Sequence, residues 1–171
     1  MHQISHMLTS YVKNKISLSI ILFCFFLPAC QAVGNAEYKA YLTTAKIKNN
    51  SLVLINHQGK CAIKLNNAAQ PIALNVPHPC GFVRTRENNP AQTYHYDIGQ
   101  VFVVAGPLAS EAEHIKNPGV KYSYKCSNQG QAVILHKNKL IVRKNREIPL
   151  GYCHQLGFDE KDYYGFAYPV E

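Results

Sequence analysis

Cysteine placement constrains this chain more than any other feature. Six cysteines are present; Cys24 lies in an apolar leader and Cys30 closes it, which leaves Cys61, Cys80, Cys126 and Cys153 for the folded part. Whether those four are bridged depends on the compartment, and the first thirty residues address that. Lys13 and Lys15 precede an uncharged apolar run, Ile16 to Leu27, that stops at Pro28, Ala29 and Cys30. This is the pattern of a secretory signal. Twelve residues span only ~18 Å as a helix against a hydrocarbon core of ~30 Å, too short for a permanent membrane span. The folded part is therefore expected to be exported, with residues 1–29 as the signal peptide.

Two processing routes compete. Leu27-Pro28-Ala29-Cys30 resembles a bacterial lipobox, in which Cys30 is lipidated and becomes the new N-terminus; Gln31, in place of the Asp that retains lipoproteins at the inner membrane, then favours the outer membrane. The rival is ordinary cleavage after Ala32, which ends the signal at residue 32 and frees a soluble periplasmic protein. Acyl anchoring makes the membrane a partner on the first route only.

In an oxidising compartment, four cysteines read as two disulfides. Three pairings are open, and Cys61–Cys80 with Cys126–Cys153 is favoured because each pair encloses a compact set of expected strands. The competing reading is a metal site, since His57, His78 and His154 sit near Cys61, Cys80 and Cys153. No C-x-x-C or H-x-x-x-H spacing supports it, so no metal and no cofactor are expected. The leader carries two of the eighteen Lys and Arg and none of the ten acidic residues, so the mature chain keeps a charge of +6. Its length suits one domain, placed at 51–171, with 30–50 as a tether or short helix.

Short apolar runs divided by turn residues indicate a mainly β fold, with α+β as the alternative. Strands are expected at 51–55, 60–65, 72–76, 81–84, 101–105, 121–126, 132–135 and 140–143, the last two as a hairpin about Asn138. Between Asn35 and Ile47, Tyr38, Tyr41, Leu42 and Ala45 repeat at helical spacing while Thr43 and Thr44 favour a strand, so both remain open. Ser110 and Glu113 form a capping-box pattern for a short helix ended by Asn117-Pro118-Gly119, and Asp159 can cap a turn through Asp162. The expected architecture is a small disulfide-stapled antiparallel sandwich or barrel-like domain with short peripheral helices.

No nucleophile, zinc or nucleotide motif of a known catalytic class is present. The nearest catalytic candidate is Tyr94-His95-Tyr96-Asp97: on a strand, His95 and Asp97 would share a face and the carboxylate could orient an imidazole base, with Ser123 or Ser127 as nominal nucleophiles. Lys137, Lys139, Arg143, Lys144 and Arg146 crowd one hairpin, offset locally only by Glu147. They form either a surface for an acidic partner or a charged edge that blocks strand-to-strand aggregation. Tyr163 and Tyr164, within the cluster of Phe158, Phe166 and Tyr168, are candidate binding anchors or core residues. Export and the lack of a binding motif argue against nucleic acid. The function expected is stoichiometric binding of an envelope or toxin protein, as an inhibitor or immunity-type protein. The alternatives are an envelope hydrolase using His95 and Asp97, or a structural accessory lipoprotein.

Overall fold

The structure is a computed structural model, and it describes residues 41–169, all within a compact unit spanning Gly34–Glu171. The leader, Cys30 and residues 35–40 lie outside the described residues. The first four strands, β1 (Thr44–Ile47), β2 (Asn50–His57), β3 (Lys60–Leu65) and β4 (Ile72–Pro77), make one antiparallel sheet in chain order. They are followed by β5 (Gly81–Phe82), β6 (Thr93–Tyr96), β7 (Gly99–Ala105), α1 (Glu111–Lys116), β8 (Cys126–His136), β9 (Lys139–Val142), β10 (Arg146–Cys153) and α2 (Glu160–Ala167). In the second sheet β7 pairs with β8; β5 and β6 pair with different stretches of β7, and β9 and β10 with different stretches of β8. Each outer edge is thus a broken strand. Among the described residues neither sheet closes, so the fold is an open sandwich and no barrel.

Turn chemistry sets the registers. At His57↔Lys60, Gln58 (φ 54°) and Gly59 (φ 79°) both occupy the left-handed region, and Asn56 Oδ1 accepts from Gly59 N at 2.9 Å. At His136↔Lys139 the two turn residues are Lys137 (φ 46°) and Asn138 (φ 60°). Two positive-φ residues give a turn whose twist matches that of paired strands. With register held, alternation decides what is buried. Leu52, Leu54, Ile63, Leu74 and Val76 of the first sheet pack against Phe82, Phe102, Val104, Val133 and Leu135 of the second. The opposite face of the second sheet, with Val101, Val103, Ala132 and Ile134, is covered by Tyr152 and by Tyr163, Phe166 and Ala167 of α2. Because β7 lies between two cores, its Val101 to Ala105 run is apolar throughout.

Both disulfides form, Cys61 with Cys80 and Cys126 with Cys153. The first joins β3 to the residue just before β5 and so ties one sheet to the other. The second joins directly opposed residues at the start of β8 and the end of β10. Both expected caps are present. Ser110 Oγ accepts from Glu113 N while Glu113 reaches back to Ser110 N, and Asp159 Oδ1 accepts from Asp162 N at 2.8 Å.

Two expectations are corrected. Residues 41–50 are not a tether or helix: β1 pairs with β2 and buries Ala45 and Ile47, so the domain includes them. Lys121 to Lys125 form an exposed turn closed by Tyr124 N to Lys121 O, and the strand begins only at Cys126; among the described residues no strand pairs with Tyr122 or Tyr124. β10 lies outside the expected strands and contains Pro149 and Gly151; it pairs with β8 at its two ends, with a register shift between Glu147 and Tyr152.

Candidate functional site

The residues proposed for catalysis are not brought together. His95 is exposed on β6, which ends at Tyr96, so strand alternation does not carry on to Asp97. Asp97 opens the two-residue turn to β7, where its Oδ1 accepts from Ile98 N at 2.9 Å and from the Tyr168 hydroxyl. That carboxylate fixes a turn and the end of α2 rather than an imidazole. Ser123 sits in the exposed turn before β8.

Ser127 instead meets His154, deep in the fold. Both are fully buried, with Ser127 Oγ 3.0 Å from His154 Nε2, and Gly106 O is 2.6 Å from Ser127 Oγ and 3.0 Å from His154 Nε2. Two acceptors are kept from facing each other when the serine O–H donates to the Gly106 carbonyl and Nε2 carries a hydrogen, which has Gly106 O and Ser127 Oγ as acceptors at the same 3.0 Å. Nε2 therefore carries the proton and cannot take one from Ser127. His154 Nδ1 has no partner among the described residues, and it lies where a Cβ on Gly81 would approach to 3.2 Å. Burial lowers the His154 pKa to about 4, aided by the nearby Arg84 charge and opposed by the Gly106 hydrogen bond. The pair is a neutral structural clamp between β8 and the end of β10, edged by the Tyr41 ring. Sequence spacing hid it, although Ser127 and His154 each follow one cysteine of the same disulfide.

The C-terminal aromatics divide. Tyr163 is fully buried, its hydroxyl donating to Gln92 O at 3.0 Å, and burial raises its pKa far above the usual phenol range. It is core and presents nothing to a partner, which corrects its candidacy as an anchor. Tyr164, the next residue, points out of α2 and is 57% exposed. Its ring is 4.8 Å from Tyr168 and 6.0 Å from Tyr96, which itself lies 5.9 Å from Tyr168. Three tyrosines from two elements thus make one surface cluster.

The basic residues divide as well. Lys137 and Lys139 are exposed at the hairpin tip, whereas Arg143 and Lys144 occupy the break between β9 and β10, and Arg146 opens β10. Arg143 Nη2 donates to Ala167 O at 2.7 Å and Arg146 Nη2 to Gly165 O at 3.4 Å. These are last-turn carbonyls of α2 that lack helical partners, where cations are favoured. Lys144 is exposed, and Glu147 is engaged by Gln129 Nε2 at 2.8 Å. Where β9 gives way to β10, a cavity of about 760 Å³ opens beside these residues, with Gly130, Ala132, Tyr152 and Phe166 as its buried lining.

Among the described residues no three His, Cys, Asp or Glu side chains converge on a common point that could hold a metal. No protein-family model, characterised protein or solved structure matches this chain.

Proposed function

We propose that this chain is an exported binding protein that acts stoichiometrically, as an inhibitor or immunity-type protein facing an envelope or toxin protein, and is held at the outer membrane through lipidated Cys30. The observation that carries the reading is the surface cluster of Tyr96, Tyr164 and Tyr168. Tyrosine offers a large contact area with few rotors, and a tyrosine cluster is a frequent anchor of protein interfaces. Lys144 and the hairpin lysines supply positive charge that would steer an acidic partner. The polar groups nearest to catalytic form are consumed structurally: Asp97 by a turn, and Ser127 and His154 by a shared carbonyl.

The test is binding of a purified envelope or toxin partner to the native protein. Tyr164→Ala should weaken a tyrosine-anchored complex by roughly 30-fold, the equivalent of ~2 kcal/mol, while Lys144→Glu should slow association and reduce its salt dependence. Mass spectrometry of membrane fractions should give a mature chain that begins at acylated Cys30; a start at Val33 would make it soluble periplasmic. Turnover of an envelope substrate that disappears in His95→Ala, with no stable complex, would replace this reading with the hydrolase.

A further inference from the structure

The cavity at the β9–β10 break owes its existence to specific sequence choices. Strand pairing to β8 lapses between Val142↔Val133 and Arg146↔Gly130, and the β10 register shifts again before Tyr152. Such irregularities re-aim side chains at sheet edges. Gly130 and Ala132 on β8 are small, and the Tyr152 ring lies directly over Gly130, where any Cβ would overlap it. The result is a hollow whose buried lining is aromatic and whose outer wall is cationic.

Two properties of that lining define what fits. The first is charge: the lining holds Arg143, Lys144 and Arg146 against one acidic residue, Glu147, and among the described residues none of the three cations has an ion-pair partner. Arg143 is held by the Ala167 carbonyl through Nη2, while its buried Nε has no partner among the described residues. A guanidinium fixed in this way has lost its rotamer freedom before any ligand arrives, so less entropy is lost on binding. The second is shape. Tyr152 and Phe166 are near-parallel, with centroids 6.4 Å apart and planes at 26°, and the guanidinium of Arg146 sits 5.9 Å from the Phe166 centroid. Exposed Ile148 extends the apolar wall. At about 760 Å³ the cavity is of the size that takes a small organic molecule, ~300–1,000 Å³.

We propose that this cavity binds a small aromatic anion, a carboxylate or phosphate carried on a flat apolar body. The oxyanion meets the Arg143, Lys144 and Arg146 wall, and the flat body lies against exposed Ile148 and the edge of Phe166, with the buried Tyr152 ring as the floor behind them. A neutral ligand would leave the cationic wall without a counter-charge, since Arg143 and Arg146 meet only neutral carbonyls, and a bare inorganic anion would leave the apolar lining uncovered. None of the three clustered tyrosines lines this site, so it stands without them, although it shares Lys144 with the charge proposed to steer a protein partner.

The experiment uses the native oxidised protein and two fluorescent probes that share one body: 1-anilinonaphthalene-8-sulfonate and uncharged 1-anilinonaphthalene. The sulfonate should saturate a single site with enhanced, blue-shifted emission, and the neutral probe should bind at least tenfold more weakly. Lys144→Glu should weaken the sulfonate at least tenfold, as should Ile148→Glu at an independent exposed position, with near-UV circular dichroism unchanged in both. Phenyl phosphate should displace the probe at concentrations at least tenfold lower than inorganic phosphate. Equal affinity for the neutral probe, equal displacement by inorganic phosphate, indifference to both substitutions, or no saturable binding would each overturn the proposal.

Discussion

Acidification should destabilise this protein through one histidine. His154 is buried and neutral in the native state, with a pKa lowered from 6.5 to about 4, first by burial and then by Arg84, against the raising effect of the Gly106 hydrogen bond. In the unfolded chain the same imidazole titrates near 6.5. The unfolded state therefore binds more protons between these values, and stability must fall as the pH is lowered through that window. The stabilisation is fully present above pH 6.5, declines by ~1.4 kcal/mol per pH unit below it, and is exhausted near pH 4, a loss of about 3 kcal/mol in all. That is a large share of the ~5–15 kcal/mol typical of a domain. Glu113 contributes in the same direction only at lower pH: its hydrogen bonds with the Ser110 backbone and hydroxyl and with Asn128 hold its carboxyl below the usual 4.5. The assay is urea unfolding of the oxidised protein from pH 7.5 to 3.5, followed by tyrosine fluorescence and circular dichroism. Repeating it with His154→Gln, whose amide can donate to Gly106 O but does not titrate, removes every other group by subtraction. The difference between the two proteins should slope through pH 6.5 to 4 and be flat outside it. A flat difference across that window would refute the proton assignment and the neutral clamp built on it.

Two further outcomes follow from packing and covalent constraint. Gly130→Ala should force the buried Tyr152 ring off its seat and cost about 1–3 kcal/mol, read as a lowered thermal midpoint with altered near-UV dichroism of tyrosine; an unchanged midpoint would show that the ring is not held there. Replacing Cys61 and Cys80 together by Ala should cost about 3 kcal/mol, and replacing Cys126 and Cys153 about 3.5 kcal/mol, from loops of 19 and 27 residues; non-reducing peptide mapping of the parent should recover those two links and no free thiol among the four.

Features governed by neighbours in the chain were legible from sequence, and those governed by distant contacts were not. The β3 boundaries, the Ser110–Glu113 box, the Asp159 cap and the Asn138 turn each depend on residues within a few positions of one another, where backbone sterics and side-chain hydrogen bonds decide the outcome. Even the disulfide pairing follows from strands that neighbour in sequence. Tyr122 and Tyr124 alternate as a strand would but pair with no strand among the described residues, while β10, broken by Pro149 and Gly151, persists because β8 supplies hydrogen-bond partners at both its ends. Whether Tyr163 or Tyr164 faces outward depends on where α2 lands against the second sheet, a choice made by Tyr152, Phe166 and Ala167 together. Ser127 meets His154, and Arg143 meets the end of α2, only after the sheets are assembled. Local preferences are written along the chain; burial and the partners of polar groups belong to the assembled fold, because each depends on surfaces that do not exist until distant segments pack.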